Sequence, residues 1–146
     1  MTRPDPLQFQ LFRVDDEARL FISPAISDWA ALETSAIRAV FDLEGGLDHG
    51  VPAIPNHTLY VYFPIFDEDL PDLGRLHGLA ALGASLVRAG QPVLSHCGAG
   101  FNRSALLAGL ILVELGWKGS DAVARLRERR PGALFNERFA VYLDSR

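Results

Sequence analysis

The chain has 146 residues, of which 49% are hydrophobic and 22% are charged, a composition typical of a globular domain large enough to bury a core. Its formal net charge is -4, and no long run of Lys or Arg follows the chain, so nucleic acid is not expected as a partner. No segment has the roughly 18 consecutive apolar residues that a helix needs to span a bilayer, so we do not expect a membrane partner. We therefore expect residues 1–146 to form one domain.

The location of the protein is predicted from its start and its cysteine content. Met1 to Gln10 include charged residues and two prolines, which does not match a signal peptide. Cys97 is the only cysteine, so no internal disulfide can form. Both features predict a cytoplasmic protein in a reducing compartment.

The first half of the sequence predicts mainly strands. Apolar runs rich in β-branched and aromatic residues are bounded there by acidic, Gly and Pro clusters, the pattern of short strands and turns. The predicted elements are an edge hairpin of Gln8 to Val14 with Arg19 to Ser23, a helix capped by Ser27 or Asp28, and core strands at Ile37 to Leu43 and Thr58 to Ile65.

Helices are predicted to dominate the second half, where apolar residues recur at helical spacing. The predicted elements are a helix from Leu73 to Gly90 capped by Asp72, a short strand at Pro92 to Ser95, a buried helix from Arg103 to Leu115, a helix capped by Ser120, and a last helix capped by Asn136. This order predicts an α/β domain with a central mixed, largely parallel sheet of four to five strands and helices on both faces.

A candidate phosphate-binding loop joins the short strand to the buried helix. Cys97 and Arg103 are separated by five residues, and Gly98 and Gly100 are expected to adopt backbone angles that other residues avoid. In such a turn, successive N–H groups and the positive end of a helix together bind a tetrahedral anion and stabilise a thiolate. The planar guanidinium of Arg103 matches two phosphate oxygens. Cys97 is therefore a candidate nucleophile.

The segment His96 to Ser104 resembles the signature His-Cys-x-x-Gly-x-x-Arg-Ser of the protein tyrosine phosphatase superfamily at every fixed position. The length of the chain is similar to that of the small dual-specificity branch. Arg129-Arg130-Pro131 and the Asn136-x-x-Phe139 pattern are also similar to that branch, so the resemblance covers roughly Leu59 to Leu143. It implies a dual-specificity phosphatase-like fold and a reaction that needs no metal or other cofactor.

The resemblance also implies a role for each residue of the site. Cys97 would attack phosphorus, and an aspartic acid about thirty residues earlier would protonate the leaving oxygen. Asp67 is our choice for this acid and Asp69 is the alternative, while Asp72 is assigned to the helix cap. Ser104 would assist the leaving thiolate, and His96 would shape the loop. The residues expected to hold the phosphate are Gly98, Ala99, Gly100, Phe101, Asn102 and Arg103.

The implied activity is that of a hydrolase that cleaves phosphomonoesters on proteins, at phosphotyrosine, phosphoserine or phosphothreonine, through a phosphocysteine intermediate. Two alternatives remain. The interior Gly-Phe-Asn-Arg is similar to the loop of RNA 5′-triphosphatases, and phosphoinositide phosphatases are also relatives, although a polyanionic substrate favours more positive charge than residues 98–102 carry. A non-catalytic phosphate-binding module is the third possibility. Glu44 follows a predicted strand and is interpreted as a solvated loop carboxylate, with contact to substrate as the alternative.

Overall fold

The computed structural model describes residues 8–146. Residues 1–7, which belong to the predicted domain and to the start that does not match a signal peptide, lie outside the described residues. It contains five strands and five helices. The strands are β1 (Phe12–Arg13), β2 (Leu20–Ser23), β3 (Ala39–Asp42), β4 (Leu59–Tyr62) and β5 (Val93–His96). The helices are α1 (Trp29–Thr34), α2 (Leu73–Arg88), α3 (Arg103–Glu114), α4 (Gly119–Arg129) and α5 (Glu137–Asp144).

The sheet confirms the predicted fold class. Its strand order is β1-β2-β5-β3-β4, with β1 antiparallel to β2 and every other neighbouring pair parallel. The strand predicted at Thr58 to Ile65 is present as β4, but its prediction as a core strand is wrong, because β4 is the half-exposed edge of the sheet. Its aromatic residues look like core residues in the sequence, but the hydroxyls of Tyr60 and Tyr62 accept hydrogen bonds from the loop after β3.

Successive residues along each strand pack on opposite faces of the sheet, as the two-residue period of a strand requires. Leu20, Phe41 and Val93 belong to the larger core, which α2, α3, α4 and α5 cover. Phe21, Val40 and Leu94 face the other side, against residues of α1 and the chain before β1. Helices therefore lie on both faces, and α3 is buried almost throughout at the centre.

Three predicted helix caps are confirmed and one is wrong. Asp28, Asp72 and Asn136 accept hydrogen bonds from the first-turn N–H groups of α1, α2 and α5. Ser120 does not cap α4, which begins before it at Gly119. The Gly119 N–H donates instead to the Arg146 carbonyl, and a Cβ on Gly119 would come within 1.9 Å of the Leu143 carbonyl oxygen. The carbonyl of Arg146, just after α5, thus accepts a hydrogen bond at the start of α4 where a side-chain cap was predicted.

Candidate active site

The candidate site lies at the carboxyl edge of the parallel strands. The last residues of β2, β5 and β3 are Ser23, His96 and Asp42, and they are hydrogen-bonded neighbours in register. The loop of residues 97–102 leaves β5 at this edge and enters α3 at Arg103. Because β5 has a neighbour on each side, chain segments after β2 and after β3 both border the loop.

Gly100 fixes the shape of the loop against the segment after β2. Its φ is +74°, and a Cβ there would lie 2.7 Å from the Pro24 nitrogen. The Cys97 N–H donates to the Ser23 carbonyl, and the Ala25 N–H donates to the Gly98 carbonyl. The expectation that Gly98 also needs a glycine-only backbone angle is wrong. A Cβ on Gly98 would instead lie 3.0 Å from a carboxylate oxygen of Glu44, so the space beside Glu44, and not the backbone angle, restricts the size of the residue at this position.

The backbone of the loop presents donors rather than acceptors to the site. Its carbonyls from Gly98 to Phe101 accept hydrogen bonds from Ala25, from the Arg130 side chain and from Leu134. Within residues 8–146, the backbone N–H groups of Gly98 to Asn102 have no protein acceptor. Asn102 occupies the N-cap position of α3, but its side chain makes no cap hydrogen bond. The loop and the first turn of α3 therefore carry free donors, which is the arrangement that binds an anion.

Cys97 lies at the base of this loop, only 2% exposed, with its Sγ atom 3.4 Å from Ser104 Oγ. Ser104 is fully buried on the first turn of α3. The Arg103 side chain donates from Nη1 to the Ile65 carbonyl at 3.3 Å, while its Nε is buried without a partner among the described residues. A buried guanidinium N–H without an acceptor is costly, and an oxyanion in the loop would satisfy it.

The structure separates the two candidate acids. The Asp67 carboxylate accepts a hydrogen bond from Asn102 Nδ2 at 3.0 Å and one from Asn136 Nδ2 at 3.3 Å, which places it beside the loop. The Asp69 carboxylate forms an exposed ion pair with Arg138 instead. The geometry therefore favours Asp67 over Asp69 as the acid.

A buried polar network under the loop was missed in the sequence. His96 is fully buried, and its Nε2 lies 2.6 Å from Asp48 Oδ2 and 3.6 Å from Asp42 Oδ1. The Tyr60 hydroxyl donates to Asp42 and accepts from the Asp48 N–H. Burial raises the pKa of Asp48 against the opposing effect of His96, and burial together with the Asp42 hydrogen bond raises the pKa of Tyr60.

One ligand atom each from Asp42, Asp48 and His96 lies within 4.8 Å of the other two, a spacing that a metal ion could bridge. These atoms already have hydrogen-bond partners: Asp48 for His96, and the Tyr60 hydroxyl and the Glu44 N–H for Asp42. The ligand atoms that face one another therefore have partners within the protein, while His96 Nδ1 is buried without a partner among the described residues. The network supports the position of His96, whose neighbour in the chain is Cys97.

Arg130 is a second residue whose contact with the loop was not predicted. Its guanidinium donates to the carbonyls of Ala99 and Gly100, at 3.2 and 3.4 Å. It lies over the rings of Phe101 and Phe12, 3.8 and 4.5 Å from their centroids. Burial lowers the pKa of Arg130, and the electrostatic effect of Cys97 opposes this. The Phe101 side chain thus packs against Arg130 and Phe135.

Solved structures of dual-specificity phosphatases share this fold. Human DUSP28 matches with a TM-score of 0.76 and 25% sequence identity over 97% of this chain and 92% of its own. A mouse putative dual specificity phosphatase, solved in complex with zinc tungstate, matches with a TM-score of 0.76 and 24% identity over 98% of this chain and 88% of its own. The chain therefore has the fold of the dual-specificity phosphatases.

Curated relatives agree at the level of sequence. Human protein tyrosine phosphatase type IVA 3 is 35% identical over 82 residues, and mouse type IVA 2 is 44% identical over 52 residues. These matches cover 54% and 36% of this chain, and the chain spans 47% and 30% of the two relatives. No protein-family model matches the chain. The chain is thus similar in sequence to protein tyrosine phosphatases and in fold to small dual-specificity phosphatases.

Within the described residues, no helix is long and apolar enough to cross a membrane.

Proposed function

We propose that the chain hydrolyses phosphomonoesters on proteins, with Cys97 as the nucleophile. The observation that carries the proposal is the placement of the Cys97 sulfur 3.4 Å from the Ser104 hydroxyl, under a loop whose backbone N–H groups have no acceptor among residues 8–146. A thiolate at this point faces the same donors as a bound phosphate. The donors both stabilise the nucleophile and hold the group that it attacks.

The reaction has two displacements. The Cys97 thiolate attacks phosphorus, the bond from phosphorus to the ester oxygen breaks, and protonated Asp67 gives its proton to that oxygen. A water molecule then attacks the phosphocysteine and loses its proton to the Asp67 carboxylate, and phosphate leaves. The Ser104 hydroxyl donates to the departing thiolate. Arg103 and the loop N–H groups hold the other phosphate oxygens in both steps.

The rim of the site supports a protein substrate over a polyanion. Phe66 is 83% exposed and Phe135 is 66% exposed, and each directly precedes a residue that contacts the loop or its acid. The nearby cations are already engaged, Arg130 by loop carbonyls and Arg138 by Asp69. A rim of phenylalanine rings suits the ring or side chains around a phosphorylated residue, whereas a phosphoinositide or an RNA 5′-triphosphate favours free cations.

The first test is hydrolysis of 4-nitrophenyl phosphate by the wild type and by Cys97→Ser, with the folding of both checked by thermal melting. We expect Cys97→Ser to lose all measurable turnover while its melting temperature stays close to that of the wild type. A Cys97→Ser protein that kept wild-type turnover would show that another group performs the reaction. A panel of phosphotyrosine, phosphoserine and phosphothreonine peptides, a phosphoinositide and a 5′-triphosphorylated RNA then identifies the substrate class.

The second test identifies the acid. Loss of a general acid costs about 10²- to 10⁴-fold in rate, and Asp67→Asn should show such a loss. Asp69→Asn changes only an exposed ion pair on the same loop and serves as the matched comparison. A loss in Asp69→Asn with none in Asp67→Asn would assign the acid to Asp69.

A further inference from the structure

We propose that Asn102 and Asn136 form an amide clamp that holds the Asp67 carboxylate over the phosphate loop before any substrate binds. Both are positioning residues in this proposal, which rests on the proposed function of Asp67 as the general acid. The clamp joins the start of α3 to the start of α5, two elements that are 34 residues apart in the chain.

The orientation of the Asn102 amide follows from its neighbours. Asn102 is 2% exposed, and its Oδ1 faces the backbone N–H of Asn136 at 3.0 Å. A backbone N–H can only donate, so the oxygen of the amide must lie on that side. Its Nδ2 therefore faces Asp67 Oδ2, at 3.0 Å. Asparagine at an N-cap position usually accepts a hydrogen bond from its own helix, and Asn102 instead directs its side chain to the acid.

The orientation of the Asn136 amide is fixed in the same way. Its Oδ1 accepts hydrogen bonds from the N–H groups of Arg138 and Phe139 and so caps α5. Its Nδ2 consequently points out of the helix and donates to Asp67 Oδ1 at 3.3 Å and to the Glu68 carbonyl at 3.2 Å. Each oxygen of the Asp67 carboxylate thus receives one amide donor, from a different helix.

The segment that carries Asp67 has few other attachments. The Ile65 N–H donates to Leu43, and α2 begins with its cap at Asp72. Between these two points, residues 66–71 form no backbone-to-backbone hydrogen bond within the described range; Leu70 packs against the core, and the other side chains are mostly exposed. The ion pair of Asp69 with Arg138 is itself exposed. A segment with so few attachments opens readily, so the two amides determine where the Asp67 carboxylate lies.

The test compares two aryl phosphates that differ in the basicity of the leaving group. Phenyl phosphate has the more basic leaving group and depends more on proton donation than 4-nitrophenyl phosphate does. Asn136→Ser keeps an oxygen to cap α5 and removes the amide donor, and Asn102→Ser removes the other amide donor without adding charge beside the phosphate. In both variants we expect turnover of phenyl phosphate to fall roughly tenfold more than turnover of 4-nitrophenyl phosphate, with little change in KM.

Arg138→Gln is the matched control, because it breaks an exposed contact to the same segment at the same end of α5. It should leave the ratio of the two turnover numbers unchanged. Equal losses on both substrates in the clamp variants would show a general disturbance of the site and overturn the proposal, as would turnover equal to that of the wild type.

Backbone mobility separates the clamp from the chemistry. The 15N order parameters of residues 66–70 should fall in Asn136→Ser relative to the wild type and Arg138→Gln. Unchanged order parameters there would overturn the clamp even if the enzyme is active. If the wild type hydrolyses neither substrate while the order parameters still fall in Asn136→Ser, the proposed function fails and the clamp stands as a structural contact.

Discussion

Replacing Gly100 by alanine tests how the phosphate loop is held. A Cβ at this position would lie 2.7 Å from the nitrogen of Pro24 and 2.8 Å from the carbonyl carbon of Ser23, and neither backbone atom can move alone. The φ of +74° adds a cost of about 1–2 kcal/mol for a residue with a Cβ. Forcing an extra carbon into a packed site costs about 1–3 kcal/mol more, so the total is about 2–5 kcal/mol.

Gly90 provides a control that isolates the backbone cost. Its φ is +79°, and a Cβ there would have no atom within 4 Å. Gly90→Ala should therefore lose only about 1–2 kcal/mol and keep full activity. Gly100→Ala should melt at a lower temperature than Gly90→Ala and lose about 10²- to 10³-fold in turnover, as expected when a donor to the transition state is displaced.

The assay is thermal unfolding of both variants together with hydrolysis of 4-nitrophenyl phosphate. At this chain length about 1 kcal/mol corresponds to roughly 2–4 °C, so the difference between the two variants is measurable. Equal melting temperatures and equal turnover in the two variants would refute the reasoning, because they would mean that the contact with Ser23 and Pro24 does not determine the shape of the phosphate loop.

The other predictions concern Asp48, Arg130 and the reactivity of Cys97. Because the pKa of Asp48 is raised in the folded protein, the folded state binds more protons than the unfolded state above about pH 4, so stability falls as the pH rises through the raised pKa. Asp48→Asn keeps an acceptor for His96 and should lose less stability than the wild type between pH 4 and pH 7, as measured by urea unfolding. Parallel curves of stability against pH for the two proteins would contradict this. Arg130→Lys should lower kcat/KM roughly ten- to hundredfold, because a lysine cannot donate to both carbonyls while it lies over the aromatic rings. Arg125→Lys removes a similar stacked arginine away from the loop and should have no effect on kcat/KM. Peroxide should inactivate the enzyme by forming a sulfenic acid or a backbone sulfenamide at Cys97, with recovery after addition of a thiol, since no second cysteine can form a disulfide; full activity after oxidation would contradict this.

The parts of the site that the sequence predicted are local in the chain. The loop from Cys97 to Ser104 combines glycines, an arginine and a helix start within eight residues, so residue type and spacing were sufficient. The choice of Asp67 came from the resemblance and its distance of thirty residues from Cys97. The fold class followed from apolar patterns that the sheet and helices then confirmed.

The missed contacts all join distant segments. Asp48 follows β3 in a loop without periodicity, and nothing in its neighbours indicates that it will contact His96. Tyr60 was read as a core residue because a strand pattern does not show where a hydroxyl points. The contacts of Arg130 and of Gly119 depend on how α4 and α5 pack, which one-dimensional patterns do not specify.

Trapping of the phosphoenzyme tests the central claim most directly. The wild type and Asp67→Asn are mixed with 4-nitrophenyl phosphate, quenched rapidly and digested, and the peptide that contains Cys97 is measured by mass spectrometry. We predict one added phosphoryl group on Cys97, with more of it in Asp67→Asn because that variant lacks the carboxylate that activates water. Turnover with no phosphoryl group on Cys97 in either protein, or with the group on another residue, would contradict the account.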